Sequence, residues 1–399
     1  MPHPTTTPGR ILSQPGLRMR SRRRVALVIE TSNAYARNVL LGVVGYIREH
    51  APWSFYLVEQ GRGDDPPAWL ARWDGDGIIA RIESPRIADA VVSSGLPAVD
   101  VSAGRYVPSL PWVETDDDAI ANLAADHLLE RGFKHLAFCG DPRFAWSRQR
   151  GTAFAERIAR SGLSVHHAPT APAPGDPASE TAALQHWLRS IPKPAGIFAC
   201  YDIRGQQVLD GCRHLQLAVP EEVAVVGVDN DELLCELAYP PLSSVIPDAR
   251  RAGYEAAALL ERMMHGEPPA TLETRVPPLG LHARQSTDVL AIDDPHVAQA
   301  LRYIREHACD PIDVADVLRV VPVSRRILEK RFLKLLNRTP HAEILNVRLN
   351  RVRQLLTDTA LPLEEIAVRS GFDHPEYLSV VFKRELGLTP RDYRRRQRP

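Results

Sequence analysis

The chain has 399 residues, enough for two or three domains with separate cores. Its 49 Lys and Arg residues balance its 49 Asp and Glu residues, but residues 295–399 hold 20 basic against 13 acidic residues and the rest carries the opposite excess. A basic C-terminal region in an otherwise acidic chain indicates that only this region binds a polyanion. No apolar run approaches the ~20 residues of a membrane span.

The first residues and the cysteines indicate the compartment. Residues 1–24 are basic and rich in Pro and Thr, and we interpret them as a disordered basic tail; no apolar segment follows the arginines, as a secretion signal requires. Five cysteines are scattered without a CxxC pair or histidines at zinc-ligand spacing: Cys139, Cys200, Cys212, Cys235 and Cys309. This pattern favours free thiols in a reducing compartment, so we expect a cytoplasmic protein without metal or other cofactor.

Residues 25–280 alternate short apolar runs with helical stretches, which predicts parallel sheets covered on both faces. The series starts afresh near Leu136, which predicts two similar lobes. Crossovers are expected near 110–118 and 240–248, and a late strand near Leu272–Val276 should return to the first lobe. The predicted strands are Val25–Glu30, Phe55–Val58, Gly77–Ala80, Ala98–Val101, Leu136–Cys139, Gly196–Cys200 and Val223–Val228. The predicted helices include Arg37–His50, Ile120–Arg131, Trp146–Ser161 and Gly205–Leu215.

Polar and aromatic side chains follow the carboxyl ends of four predicted strands, which is where open parallel sheets bind ligands. Carboxylates and arginines can hold vicinal hydroxyls, and aromatic rings can cover the faces of a sugar ring. We therefore predict a sugar-binding site between the lobes. Its candidate residues are Asn33, Tyr35, Arg37, Trp146, Arg150, Asp202, Asp229 and Asn230.

Several of these candidates also have a simpler structural interpretation. Asp202 could cap the helix that follows it, and Asp229 could be a turn residue. Arg150 could be a surface ion-pair partner, while Trp146 and Tyr35 could belong to the core. The expected convergence of all four strand ends on one cleft favours the ligand interpretation.

Five motifs of the body fall in order along the chain. They are Thr115-Asp116, His127-Leu128-x-x-x-Gly132-x-x-x-Leu136-Ala137-Phe138-x-Gly140, Arg150-x-x-Ala153-Phe154, Gly227-Val228-Asp229-Asn230 and Pro241-Leu242-Ser243-Ser244-Val245. Through them the body resembles the sugar-responsive domain of the LacI/GalR family, which is akin to periplasmic sugar-binding proteins. The resemblance implies a two-lobed α/β fold and effector contacts at Arg150, at Asp229 and at the pair Tyr201-Asp202.

After a predicted linker at residues 281–294, one pattern appears twice at an offset of fifty positions. The first copy runs from Val314 to Pro340 and the second from Glu364 to Pro390. Each copy has the pattern of a short helix, a turn and a second helix with one apolar face and one polar, basic face. A helix of this kind can enter a DNA major groove, so an all-α domain with two helix-turn-helix motifs is predicted over residues 295–399.

The second helix of each copy divides into a predicted core side and a predicted DNA side. The core side holds Ile327, Leu328, Phe332 and Leu335 in the first copy and Tyr377, Leu378, Val381 and Phe382 in the second. Ser324 and Asp373 are expected to cap these helices, and Gly371 to end the helix before the second one. The predicted DNA-binding residues are Ser324, Arg325, Arg326, Glu329, Lys330, Arg348, His374, Glu376, Ser379, Lys383 and Arg384, of which Lys330, Arg348, Lys383 and Arg384 are expected at phosphates.

The repeat carries a second family pattern. Its elements are Ser324-Arg325-Arg326-x-Leu328-Glu329-Lys330-Arg331-Phe332, Gly371-Phe372 and Phe382-Lys383-Arg384-x-x-x-Gly387-x-Thr389-Pro390-x-x-Tyr393-Arg394. Residues 295–399 thereby resemble the DNA-binding domain of the AraC/XylS family. Pro322 stands where that family has glycine in the first turn, and because proline cannot adopt positive φ we expect this turn to differ from the second one.

An effector domain followed by AraC-type helices is similar to the arrangement of the xylose operon regulators. This resemblance implies a transcription regulator, an activator, that binds a double-stranded DNA operator as a homodimer, contacts RNA polymerase and responds to a small sugar effector, D-xylose or another pentose. The alternative is a cytoplasmic sugar-converting enzyme, an isomerase or a hydrolase. The sequence has no GxSxG elbow, Walker loop or HExxH motif, so we expect a regulator and not an enzyme.

Overall fold

The structure is a computed structural model that describes residues 22–50, 52–170, 176–288 and 294–397. Most of the predicted tail lies outside these residues, but its last residues differ from the expectation. Arg24 begins the first strand and pairs with Asp74 at 2.8 Å, and Arg23 pairs with Asp76 at 3.2 Å. The body therefore begins slightly earlier than predicted.

The body is built from strands and helices that largely alternate. The strands are β1 (Arg24–Val28), β2 (Ser54–Leu57), β3 (Gly77–Ala80), β4 (Ala98–Asp100), β5 (Trp112–Thr115), β6 (His135–Cys139), β7 (Val165–His167), β8 (Ala195–Ala199), β9 (Val223–Val228), β10 (Ser243–Ile246), β11 (Glu273–Val276) and β12 (Gly280–His282). The helices are α1 (Ala34–Glu49), α2 (Pro85–Ser93), α3 (Asp117–Glu130), α4 (Ala145–Ala159), α5 (Pro177–Ser190), α6 (Asp202–His214), α7 (Glu232–Leu237) and α8 (Ala249–Met264).

These strands form two six-stranded sheets, one in each lobe. Lobe 1 has the parallel order β11-β5-β4-β3-β1-β2. Lobe 2 has the order β12-β10-β9-β8-β6-β7, parallel except for β12. The chain enters lobe 2 after β5, returns after β10 and adds β11 beside β5, which confirms both predicted crossovers and the late strand. The predicted α/β fold class is confirmed.

Helix α8 closes lobe 1 by packing against α1 at very short range. A Cβ atom on Gly42 would lie 1.9 Å from the carbonyl oxygen of Arg250, and a Cβ atom on Gly253 would lie 1.9 Å from that of Val39. Real Cβ atoms do not approach a backbone so closely, so only glycine fits at these two crossing points. This packing holds α8, which follows the return of the chain from lobe 2, against lobe 1.

The predicted linker at residues 281–294 is shorter in the structure. Strand β12 pairs antiparallel with β10, and a 3-10 turn at Gln285–Thr287 buries Ser286 and Thr287 completely. The Ser286 hydroxyl donates to the Val225 carbonyl at 2.6 Å. The segment through Thr287 is therefore part of lobe 2, and residues 289–293 of the predicted linker lie outside the described residues.

The C-terminal part consists, in its described residues, of helices joined by turns, and it carries the predicted repeat. Its helices are α9 (Pro295–His307), α10 (Val314–Val320), α11 (Arg325–Leu336), α12 (Pro340–Asp358), α13 (Leu363–Arg369), α14 (Pro375–Leu386) and α15 (Pro390–Gln397). Helices α11 and α14 begin and end fifty positions apart, and both are followed by a left-handed residue, Asn337 or Gly387. The two helix-turn-helix units are confirmed.

The turns of the two units differ, as Pro322 predicts. Gly371 in the second turn has φ +73°, whereas residues 321–324 of the first turn have no positive φ. A Cβ atom on Gly371 would also lie 2.8 Å from the Ala308 carbonyl oxygen. One predicted cap is wrong: Asp373 does not cap α14, because the N-cap is His374 and its side chain makes no capping hydrogen bond.

Candidate effector cleft and nucleic-acid interface

Side chains from both lobes meet between the carboxyl ends of their strands. Arg62, in the segment after β2 of lobe 1, lies against Trp146 and Tyr201 of lobe 2. At the rim, the Arg37 guanidinium lies 3.7 Å from the Asp231 carboxylate. The predicted convergence of the strand ends on one inter-lobe cleft is thus present.

Arg150 and Asp117 form a buried ion pair on the lobe 2 side of the cleft. Arg150 donates from Nε to Asp117 Oδ1 at 2.7 Å and from Nη1 to the Cys200 carbonyl at 2.7 Å. Burial raises the pKa of Asp117, while the nearby Arg150 charge lowers it. Asp117 Oδ2 is buried without a hydrogen-bond partner among the described residues. Arg150 is therefore not a surface residue, and its partner offers a free acceptor.

Asp229 and Asn230 follow β9 in a left-handed conformation, with φ of +103° and +46°. Burial raises the pKa of Asp229, and the charges of Arg150, Arg62 and Arg81 act in the opposite direction. The Asn230 side-chain oxygen accepts a hydrogen bond from Arg284 at 2.9 Å. Asp229 is thus both a turn residue and a cleft residue, whereas Asn230 has a partner within lobe 2.

Asp202 differs from its prediction as a sugar ligand. Its side chain is 1% exposed. Its Oδ1 accepts a hydrogen bond from the Ser244 hydroxyl at 2.6 Å, and its Oδ2 accepts one from the Asp231 backbone N–H at 2.8 Å. Asp202 therefore joins the ends of β9 and β10 beneath the cleft with both carboxylate oxygens in use, and the N-cap of α6 is Tyr201.

The lobe 1 candidates have largely structural partners. Asn33 caps α1, because its Oδ1 accepts from the Ala36 N–H at 2.9 Å, and its Nδ2 donates to Glu30 at 3.1 Å. Tyr35 is buried with its hydroxyl 3.3 Å from Thr115 Oγ1. Arg37 is exposed and donates to the Thr31 carbonyl at 3.1 Å. Arg37 also reaches the opposite lobe through its contact with Asp231.

Three charged strand-end residues of lobe 1 were missed by the sequence analysis. Arg81 directly follows β3, Glu30 lies two residues beyond β1, and the two form an ion pair at 2.6 Å; Arg81 also pairs with Glu83. Glu114 lies near the end of β5, 3.0 Å from Arg105. The strand-end rule, applied to β3, would have identified Arg81. Glu30 was counted as the last residue of its predicted strand, and β5 was not predicted as a strand.

Aromatic rings of lobe 2 form one wall of the cleft, which we name the aromatic box: Phe144, Trp146 and Tyr201. The rings of Phe144 and Trp146 stack at 5.1 Å with an interplanar angle of 16°. Tyr201 meets Trp146 edge-on at 5.6 Å. Trp146 is buried, but its Nε1 has no hydrogen-bond partner among the described residues. Trp146 therefore combines a packed ring with an unused donor.

The second candidate site is the outer face of α11 and α14. Its exposed predicted contacts are Ser324, Arg325, Arg326, Lys330, His374, Glu376, Lys383 and Arg384, and Glu329 and Ser379 are partly exposed. Arg325 pairs with Glu329 at 2.9 Å and Arg384 with Glu385 at 2.8 Å, so two of the basic side chains already have acidic neighbours.

Two predicted core residues lie on this outer face instead. Ile327 and Tyr377 occupy the same position of the repeat and are 44% and 54% exposed. The next residues, Leu328 and Leu378, are completely buried. The apolar stripe of each helix is thus narrower than the sequence suggests, and exposed Val380 adds a further apolar side chain to the face of α14.

Arg348 differs from its prediction as a phosphate contact. Its guanidinium donates to the carbonyl oxygens of Ala308, Asp310 and Ile312 at 2.6, 3.0 and 3.3 Å. These carbonyls lie at and just beyond the end of α9, where helix carbonyls lack partners within the helix. Arg348 therefore ties α12 to the end of α9.

Three family models match consecutive parts of the chain. The XylR N-terminal domain matches residues 24–118, the periplasmic binding protein-like domain residues 125–287 and a helix-turn-helix domain residues 317–396. A relative from Escherichia coli K12, the xylose operon regulatory protein, is 36% identical over 94% of this chain and 97% of its own. The chain belongs to the xylose operon regulator family.

A second relative and a solved structure also match most of the chain. The xylose operon regulatory protein of Haemophilus influenzae is 32% identical over 93% of this chain and 98% of its own. A solved structure of the xylose-binding transcription activator xylR has a TM-score of 0.83 and 34% identity, covering 94% of this chain and 98% of that one. The chain is thus a DNA-binding transcription regulator with a sugar-binding domain, and its relatives are regulators, not enzymes.

None of the described helices has the length and apolar character that crossing a bilayer requires. No cluster of three or more His, Cys, Asp or Glu side chains within the described ranges is placed to hold a metal ion.

Proposed function

We propose that the chain is a transcription activator whose effector is a pentose, D-xylose, bound in the cleft between the lobes. The names of its relatives support this choice, because they are a xylose operon regulatory protein and a xylose-binding activator. As a regulator of genomic DNA, it is expected to act in the cytoplasm.

The observation that carries the proposal is that three residues around the cleft each have a buried polar side-chain atom without a hydrogen-bond partner among the described residues. Arg81 Nε and Trp146 Nε1 are unused donors, and Asp117 Oδ2 is an unused acceptor. Buried polar atoms are normally paired, and each unpaired one costs about 1–3 kcal/mol. A neutral polyol supplies hydroxyl groups that both donate and accept, so a sugar would relieve all three deficits at once.

The proposed sugar contacts follow from these atoms. Asp117, Arg150 and Asp229 would hold hydroxyls from lobe 2, Arg81 would do so from lobe 1, and the Trp146 ring would cover one sugar face. Tyr35 supports Arg81, whose guanidinium carbon lies 5.1 Å from the centre of the tyrosine ring. Asn33, Asn230 and Asp202 are assigned to the framework of the site.

Isothermal titration calorimetry with a panel of pentoses and hexoses tests the effector. D-xylose should give a saturable heat of binding and should be recovered unchanged. An absence of heat with every aldose of the panel would refute the proposed site. Binding of a hexose alone would refute the choice of a pentose and leave the site intact.

We further propose that the regulator binds DNA as a homodimer and contacts RNA polymerase. Each chain has two recognition helices, α11 and α14, which suit successive major-groove faces about one turn apart. Base contacts are proposed for Arg325, Arg326, Glu329, His374, Glu376 and Ser379, and phosphate contacts for Lys330, Lys383 and Arg384. Ser324 acts as the cap of α11, because its hydroxyl accepts from the Ile327 N–H at 3.4 Å.

A further inference from the structure

Arg62 occupies the aromatic box from the opposite lobe. Its guanidinium carbon lies 4.7 Å from the centre of the Tyr201 ring, 5.3 Å from that of Trp146 and 5.6 Å from that of Phe144. The side chain is 16% exposed although it belongs to a segment between secondary-structure elements. A cation over the faces of desolvated rings is attracted to them, so this contact holds the two lobes together.

The polar contacts of Arg62 are incomplete. Its Nε is buried without a hydrogen-bond partner, and the nearest carboxylate oxygen, Glu30 Oε1, is 4.0 Å away. The neighbouring Arg81 is different, because it makes close ion pairs with Glu30 and Glu83. Arg81 is thus fixed to its own lobe, whereas Arg62 is held mainly by the rings that it faces.

The Arg62 guanidinium and a sugar would use the same surface. Aromatic rings bind pyranose rings through their faces. Phe144 stacks on the Trp146 ring, and two guanidinium carbons lie near the centre of that ring, that of Arg150 at 5.0 Å and that of Arg62 at 5.3 Å. Arg150 is held by its hydrogen bonds to Asp117 and Cys200, so Arg62 is the cation that can leave the ring. A planar guanidinium on the aromatic box excludes a sugar ring from the same faces. The two occupants are therefore mutually exclusive.

We propose that Arg62 is an internal competitor of the effector: its guanidinium and a sugar ring take the same place in the aromatic box, so sugar binding requires Arg62 to leave. This inference rests on the proposed sugar site. The two states are then the one with Arg62 in the aromatic box and the one with sugar in it. The sugar can shift the balance between these states only by its higher affinity for the state in which the box is free.

The matched variants are Arg62→Ala and Arg86→Ala. Arg86 also belongs to lobe 1, but it is a surface residue with 73% exposure and a single ion pair to Asp65 at 2.7 Å. Calorimetry with D-xylose should give about tenfold tighter binding to Arg62→Ala than to the wild type, equivalent to about 1.4 kcal/mol, and no change for Arg86→Ala. Arg62→Lys should fall between, since an ammonium stacks less well on rings.

Weaker or unchanged binding by Arg62→Ala would overturn the inference alone, because the wild type would still bind sugar. An absence of sugar binding in both proteins would overturn the proposed site and the inference together. The two failures are therefore distinguishable in one experiment.

Arginine modification of the wild-type chain provides a test that needs no substitution. Phenylglyoxal labelling, read by mass spectrometry, should modify Arg86 equally with and without D-xylose. Arg62 should be poorly labelled in the free protein and several-fold more reactive with saturating sugar. Lower Arg62 reactivity with sugar would make it a ligand contact and overturn its role as a competitor.

Discussion

Asp202 illustrates how a buried carboxyl group at a strand end can be structural. Burial raises its pKa well above the usual value, and the Asp229 charge adds to this effect, so the protonated form is favoured. Asn is the isostere of that form, because its oxygen can accept from the Asp231 N–H. Its NH₂ can donate to the Ser244 oxygen once the Ser244 hydroxyl, which donates to Asp202 in the structure, turns its proton away. Asp202→Ala leaves both groups without their partner.

We therefore expect Asp202→Ala to lower the free energy of unfolding by about 1–3 kcal/mol and Asp202→Asn by clearly less. Denaturant unfolding with urea measures this difference. Equal losses in the two variants would contradict the hydrogen-bonding role of Asp202.

Glu114 should make the stability of the folded protein depend on pH. Burial raises its pKa to about 8, and the nearby Asp117 charge contributes, while Arg105 and Arg81 oppose the shift. A carboxyl group with a raised pKa keeps its proton in the folded state after the unfolded chain has lost it. Its contribution to stability is therefore largest below the unfolded pKa and falls as the pH rises towards 8.

Glu114→Gln mimics the protonated group at every pH. The melting temperature of the wild type should fall relative to that of Glu114→Gln between about pH 5 and pH 8, where the unfolded chain ionises first. Thermal melts of both proteins in matched buffers give the melting temperature of Glu114→Gln minus that of the wild type at each pH. A difference that stays constant or decreases as the pH rises would contradict the raised pKa of Glu114.

The exposed apolar side chains of α14 have a chemical counterpart in DNA. Val380, on the outer face, suits the 5-methyl group of thymine in the major groove. Val380→Ala should weaken binding by about 1 kcal/mol to a duplex selected from a random library, and little to the same duplex with uracil in place of thymine. Fluorescence anisotropy measures both affinities.

Lys383→Ala is the matched control on the same helix. As a phosphate contact it should weaken binding to both duplexes alike and reduce the slope of log affinity against log salt by about 1. If Val380→Ala weakened binding to both duplexes alike, Val380 would not read thymine.

At the scale of elements, helix α9 joins the DNA-binding part to lobe 2 through two arginines. Arg302 pairs with Glu222 at 2.9 Å, and Arg305 pairs with the buried Glu221 at 3.0 Å. Both glutamates precede β9, the strand that ends at the cleft beside Asp229. Strand β9 thus has the cleft at one end and the α9 contact at the other, so we infer that movement of lobe 2 reaches the recognition helices by this route.

The double variant Arg302→Ala/Arg305→Ala should retain sugar affinity and DNA affinity in their separate assays but lose at least half of the sugar's effect on DNA binding. Arg213→Ala, which removes an exposed pair with Asp210 on α6, is the control. Full retention of the sugar effect in the double variant would place the coupling elsewhere.

Sequence patterns predicted the elements well but their contacts unevenly. The repeat identified α11 and α14 because its apolar spacing persists over fifty positions, and strand ends identified Arg150 and Asp229 because parallel topology brings them together. The hydrogen bonds of Asp202 could not be predicted because its partners, Asp231 and Ser244, come from later elements. Arg62 was missed because it lies in an irregular segment, and its aromatic partners are distant in sequence. Ile327 and Tyr377 border the apolar stripe, where periodicity alone cannot decide the direction of a side chain.

At the scale of the whole molecule, the proposed sugar cleft and the two recognition helices lie in different parts of the chain. Regulation by the sugar requires that sugar binding and DNA binding change each other's free energy. Thermodynamic coupling of this kind is reciprocal, so it can be measured from either side.

The most direct test is the affinity of the full chain for a duplex that it selects from a random library, measured by fluorescence anisotropy at fixed salt with and without saturating D-xylose. We expect tighter DNA binding with the sugar, by about tenfold, which is within the usual range of coupled sites. Identical affinities under the two conditions would show that the sugar site and the recognition helices are not coupled.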